Sequence, residues 1–84
     1  MNDKQNEIYG SIKTHLVGRG VEEDRIKPEA SLLGDLDLDS LDTMELTVSM
    51  EEQYSIEIPD QELENLVTVG DAVELIESRT SVKT

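Results

Sequence analysis

The chain has no cysteine, no phenylalanine and no tryptophan, and its only tyrosines are Tyr9 and Tyr54. Without cysteine there is neither a disulfide nor a thiolate metal site. A small domain lacking such staples must be held by packed aliphatic side chains. Basic residues are absent from the whole stretch between Pro28 and Ser78. All the acids except Asp3, Glu7, Glu22, Glu23 and Asp24 fall inside it, in a chain of net charge −13. Nucleic-acid binding is excluded on that ground, because phosphate contacts need cations. An anionic membrane surface is excluded for the same reason. No apolar run is long enough for a signal peptide or a membrane span, so the expected compartment is the cytoplasm. Such acidity suits a basic protein partner, whose encounter the long-range field speeds. It is also compatible with solubility alone.

The length of 84 residues fits one domain, residues 1–84. Its ordered part is expected at about residues 3–78, with a flexible C-terminal tail. A domain of this size buries only roughly 60–65 % of its unfolded surface. Residues 3–17 read as an amphipathic helix, since Ile8, Ile12 and Leu16 recur every four positions and stack on one face. Gly18 and Gly20 suit its end. Residues 19–39 show no period. Val21, Ile26, Leu32, Leu33, Leu36 and Leu38 punctuate them, so this is read as a long ordered loop pinned to the core by those side chains. Pro28 and Gly34 mark bends. Asp39 or Ser40 then caps a second helix running to about Tyr54. Pro59 stops it, and Asp60 opens a short third helix with Leu63 and Leu66 facing inward. Thr68 with Asp71 resembles a capping box for a last helix carrying Val69, Ala72, Val73 and Ile76. No segment alternates as a strand does. The expected fold is all-α: a small four-helix bundle with a long ordered loop between helices 1 and 2 and a short helix 3.

The second helix carries two apolar faces. With Leu41 at zero on a helical wheel, Leu46, Met50 and Tyr54 fall at about 140°, 180° and 220°. They are the core contact. Leu41, Met44 and Val48 fall at about 0°, 300° and 340°, on the opposite side, and Glu45, Glu51 and Glu52 lie among and beside them. Both stripes could be buried between neighbouring helices. A domain this small is more simply built with the second stripe exposed, and an apolar seam rimmed by charge is a docking surface.

Between the loop and this helix runs "DLDLDSLDTMEL", four aspartates around one serine. Ser40 admits several roles. It is no hydrolase nucleophile, because there is no Gly-x-Ser-x-Gly elbow and His15 is the only histidine. Plain helix capping needs nothing further. Asp35, Asp37 and Asp39 match positions 1, 3 and 5 of a calcium-binding EF-hand loop, but Ser40 replaces the glycine at position 6 and Leu46 the glutamate at position 12. A metal site is therefore not expected. A serine at a helix start is also a good place for a covalently attached phosphate, since unpaired N–H groups and the helix dipole favour negative charge there.

"DLDLDSLDTMEL", followed by "EEQYSIEIPD" and "TVGDAVELI", strongly resembles the acyl carrier proteins. The likeness runs from about Ser31 to Ile76 and more loosely through the first helix. It implies that Ser40 is esterified by 4′-phosphopantetheine, making the chain a phosphoprotein carrier and not an enzyme, with no catalytic residues of its own. A phosphopantetheinyl transferase would load it from coenzyme A. Acyl groups would then ride the arm as thioesters in fatty-acid or polyketide biosynthesis. Asp39, Leu41, Asp42, Met44, Glu45, Val48, Glu51 and Glu52 would form the face recognised by acyltransferases and ketosynthases with basic docking patches. The acyl chain would fold back among Met44, Met50, Ile58, Leu63, Leu66, Ala72, Leu75 and Ile76, and the carrier would act as a monomer. The alternatives are an aminoacyl or peptidyl carrier, disfavoured by the Asp before the serine, and an acidic calcium-responsive binding module. One departure stands out: where the family pattern Asp-Leu-Gly-x-Asp-Ser has glycine, this chain has Asp37. The loop before Ser40 is therefore expected to be tighter or differently bent.

Overall fold

A computed structural model describes residues 2–80. Three α-helices form: α1, Asp3–Gly18; α2, Ser40–Tyr54; and α3, Val69–Thr80. The short helix expected after Pro59 is present as a 3-10 helix, Asp60–Asn65, giving the four-helix all-α bundle read from the sequence. A single 3-10 turn, Glu23–Arg25, interrupts the long loop. There is no strand among the described residues, only an isolated antiparallel bridge between Ser31 and Thr68. Of the tail expected after residue 78, Arg79 and Thr80 still belong to α3. Residues 81–84 lie outside the described residues.

Each α-helix starts at a polar cap. Asn2 Oδ1 accepts from Gln5 N at 2.8 Å, and Gln5 Oε1 accepts from Asn2 N at 3.1 Å, which satisfies two orphan amides at the start of α1. At α3, Thr68 Oγ1 accepts from Asp71 N at 3.1 Å and Asp71 Oδ2 accepts from Thr68 N at 3.1 Å, the reciprocal pair expected with Asp in place of Glu. Helix α1 ends through Arg19, whose N–H donates to Leu16 O and Val17 O. Gly20 then takes φ 99°, a conformation that favours glycine.

The central helix is α1, which packs along both α2 and α3. Its Ile8, Ile12 and Leu16 are buried, as the four-residue spacing predicts. Leu46 and Met50 of α2 meet them, with Val69, Ala72, Val73 and Ile76 of α3. The tyrosines pack at the margin of this core and find polar partners: Tyr9 donates to Ile26 O at 2.6 Å, and the Tyr54 and Ser11 hydroxyls lie 3.0 Å apart.

The long loop is ordered because its apolar residues reach the core. Ile26, Ala30, Leu32, Leu36 and Leu38 are buried and Val21 is partly so. Leu33 is a correction to the expectation: it is 61 % exposed and does not pin the loop. Its neighbour Leu32 takes the inward position, so the next side chain is turned away. The loop backbone is also stitched to the start of α3. Leu32 N donates to Val67 O at 2.9 Å, Val69 N to Ala30 O at 3.0 Å, and Gly70 N to Pro28 O at 2.8 Å. A Cβ on Gly70 would meet Pro28 O at 3.0 Å, tighter than an ordinary contact, so glycine suits this close approach. These bonds fix the middle of the loop, and Leu38 N, donating to Leu32 O at 3.0 Å, ties the stretch just before α2 to it.

Candidate functional site

Helix α2 opens at Asp39, which is its cap. Asp39 Oδ1 accepts from Asp42 N at 2.9 Å, and Asp42 Oδ2 accepts from Asp39 N at 3.3 Å. Ser40 is the first residue inside the helix, not the capping residue. Because Asp39 satisfies the helix start, the Ser40 hydroxyl is free of that duty, and Ser40 is exposed. The Ser40 and Leu41 amides have no intrahelical acceptor by position and take none among the described residues. An exposed hydroxyl beside two open N–H groups is a suitable seat for a phosphodiester.

The aspartates before Ser40 are held apart. Asp35 Oδ2 accepts from Ser31 N at 2.9 Å, and Ser31 Oγ accepts from Gly34 N and Asp35 N at 3.0 Å each. Asp37 points outward and pairs with Arg25 at 3.8 Å. No group of three or more His, Cys, Asp or Glu among the described residues is placed to hold one metal ion. Asp37 itself has φ 55°, in the left-handed region. The position that the family pattern fills with glycine thus takes a backbone conformation open to glycine, and here aspartate adopts it.

On α2 the two faces separate as the wheel indicates. Leu46 and Met50 are buried, while Leu41, Met44 and Val48 are 60 %, 45 % and 45 % exposed. Thr43 and Thr47 are buried without loss, because their hydroxyls donate to Asp39 O and Met44 O. The acids along the exposed stripe differ in circumstance. Glu52 is exposed. Glu51 Oε2 accepts from Ile58 N at 2.8 Å and so holds the turn after α2. Asp42 and Glu45 both meet Arg19 from the end of α1. The Asp42 carboxyl is held below the usual aspartate range, first by the Asp39 backbone N–H and then by the Arg19 guanidinium.

Beside Ser40 lies a cleft of about 140 Å³ lined by Leu33, Ser40, Thr43, Met44, Leu63 and Leu66. Of the residues expected around an acyl chain, Met44, Leu63 and Leu66 meet there. Met50, Ile58, Ala72 and Ile76 lie in the closed core, and Leu75 packs against its edge. Leu33 and Thr43 were not singled out for the cleft. Thr43 sits three residues after Ser40 on the same helix face, a spacing legible in the sequence. Leu33 carries no such signal, because its outward turn depends on Leu32 taking the core. A wider groove of about 540 Å³ between α1 and α2, bordered by Ser11, His15, Ser49 and Gln53, does not include Ser40.

Comparison with known proteins gives the family. The family profile described as "Phosphopantetheine attachment site" matches residues 18–76. A curated relative named "Acyl carrier protein", from Picosynechococcus sp. (strain ATCC 27264 / PCC 7002 / PR-6), is 44% identical over 75 residues, covering 88% of this chain and 93% of that protein. The chain belongs to the acyl carrier proteins. Acyl carrier proteins bear covalently attached 4′-phosphopantetheine and are carriers, not catalysts. They work with partner enzymes of acyl biosynthesis. No helix among the described residues is long and apolar enough to cross a membrane.

Proposed function

We propose that Ser40 Oγ is the attachment point for 4′-phosphopantetheine, and that the chain carries acyl intermediates of fatty-acid or polyketide biosynthesis. The observation that carries this is the division of labour at the start of α2. Asp39 caps the helix, leaving the Ser40 hydroxyl exposed and without a hydrogen-bond partner among the described residues. A phosphopantetheinyl transferase would deliver the group from coenzyme A: Ser40 Oγ forms the new ester bond to phosphorus as the hydroxyl proton leaves, the pyrophosphate bond of coenzyme A breaks, and adenosine 3′,5′-bisphosphate departs. When attached, the group supplies a terminal thiol on which acyl chains are held as thioesters.

The chain's own residues then hold and present. The open Ser40 and Leu41 amides would help hold the phosphodiester. The cleft lined by Leu33, Thr43, Met44, Leu63 and Leu66 offers apolar walls beside the attachment point, and Met and Leu suit a space that opens and refills. Leu41, Met44 and Val48, with Asp39, Asp42, Glu45, Glu51 and Glu52, form a face for partners with basic docking patches, among them the transferase, acyltransferases and ketosynthases. Charge complementarity there sets encounter rate and partner choice more than affinity. The carrier is expected to act as a monomer in the cytoplasm.

Ser40→Ala tests the attachment point. Incubated with coenzyme A and a phosphopantetheinyl transferase, the wild type gains one phosphopantetheine in intact mass and the variant gains none, while its far-UV circular dichroism is retained. The same gain in the variant would place the group elsewhere.

A further inference from the structure

Resting on the docking face proposed above, we infer that Arg19 is a positioning residue for partner docking: it holds Asp42 and Glu45 as internal salt partners, and a basic partner must take these carboxylates from the chain's own guanidinium. Arg19 terminates α1, where its backbone N–H bonds Leu16 O and Val17 O and fixes the root of the side chain. From there Nη2 reaches Asp42 Oδ1 at 2.9 Å, and Nη1 is in contact with Glu45 Oε1. Asp42 and Glu45 lie one turn apart on α2, so one guanidinium spans both with separate nitrogens. Among the described residues no other cation pairs with an acid of α2; the remaining pairs are Lys13–Glu23, Arg25–Asp37 and Arg79–Glu62.

Two observations bear on what this contact does. Glu45 Oε1, the oxygen in ion contact with Arg19, is shut off from water and makes no hydrogen bond, even though the side chain as a whole is 42% exposed. Yet Arg19 is itself 43% exposed, and exposed ion pairs are weak. The contact is therefore exchangeable, and it sets how readily the face is engaged without closing it. It also touches the cap, because Asp42 is the residue that completes the Asp39 box beside Ser40. The sequence gives no sign of this, since it places every basic residue outside the stretch from Pro28 to Ser78. The fold brings one of them back onto the acidic face.

The test is steady-state loading by a phosphopantetheinyl transferase with coenzyme A, read by intact mass, for the wild type, Arg19→Gln, Arg19→Lys, Glu45→Gln/Asp42→Asn and the triple variant. At low ionic strength Arg19→Gln should raise kcat/KM roughly 2- to 5-fold, through KM with kcat unchanged, because one competing cation is removed from a steered encounter. The gain should vanish at roughly 0.5 M salt, where the Debye length is only a few ångströms. It should also vanish when Arg19→Gln is added to the Glu45→Gln/Asp42→Asn background, and Arg19→Lys should fall between wild type and Arg19→Gln. If the wild type is loaded and Arg19→Gln, with circular dichroism unchanged, is loaded equally well or more slowly at low salt, the inference is overturned while the attachment site stands. If the wild type gains no mass at all, the docking face falls and the inference falls with it.

Discussion

Asp37 shows what a single backbone angle demands. Its φ of 55° lies where a side chain is normally penalised, yet aspartate is among the residues that visit this region most readily. Asp37→Gly should therefore fold with little change in urea midpoint, since glycine relieves the strain but loosens the unfolded chain. Asp37→Val, β-branched at the same angle, should lose about 1–2 kcal/mol. A valine variant as stable as wild type would mean that the loop does not need the left-handed residue. Ser40 is the complementary case, a residue whose value lies in what it does not do. With Asp39 as cap, the hydroxyl has no structural task. The sequence allowed either residue as cap, because both are good capping types. Only the hydrogen bonds separate them. Leu33 and Arg19 were less legible still. Leu33 faces out because Leu32 faces in, and Arg19 acts on residues more than twenty positions away. Neither leaves a local pattern.

At the scale of the element, α2 was the most legible part of the chain. Two apolar stripes on one wheel, one buried and one exposed, followed from the spacing of Leu41, Met44, Leu46, Val48 and Met50. The spacing of Ile8, Ile12 and Leu16 gave α1 its core face just as directly. The third helix was placed but not typed, because a six-residue segment makes too few bonds to favour α over 3-10 geometry. The end of α2 was placed at Tyr54, where it falls, but not the way it closes: the chain turns on Ser55 at φ 55°, where glycine is the usual residue, helped by Glu51 accepting from Ile58 N. The start of α2 has a pH signature. Asp42 titrates below its ordinary value when folded, so the unfolded chain takes up that proton first as pH falls. The stabilisation from Asp42 is fully present above the ordinary aspartate pKa of about 4 and is lost as pH drops through the lower folded value. Asp42→Asn keeps a side-chain oxygen for the Asp39 N–H but has no proton to bind. The difference in urea midpoint between wild type and Asp42→Asn should therefore shrink on acidification below about pH 4. A difference that stays constant across that range would remove the charged role of Asp42.

Over the whole molecule the charge of −13 sets the balance. The ion pairs are few and exposed, so they contribute little, while like charges crowd the α2 side. Screening should therefore help the fold. The melting temperature should rise by several degrees as sodium chloride is taken from low concentration to about 0.2 M. A fall over the same range would show that the pairs outweigh the repulsion. The acidity that costs stability is the same feature that suits a basic partner, and the aliphatic core shared by α1, α2, α3 and the long loop carries the load. The proposed function turns on one oxygen atom, Ser40 Oγ, and the chain is well suited to locating the attached group. Lys27 precedes Pro28, so trypsin leaves Ile26 to Arg79 as one long peptide containing Ser31, Ser40, Ser49, Ser55 and Ser78. The most direct measurement is fragmentation of that peptide from wild-type protein after loading by coenzyme A and the transferase. The phosphopantetheine mass should fall on Ser40 alone; its appearance on Ser31, Ser49, Ser55 or Ser78, or on none of them, would contradict the account.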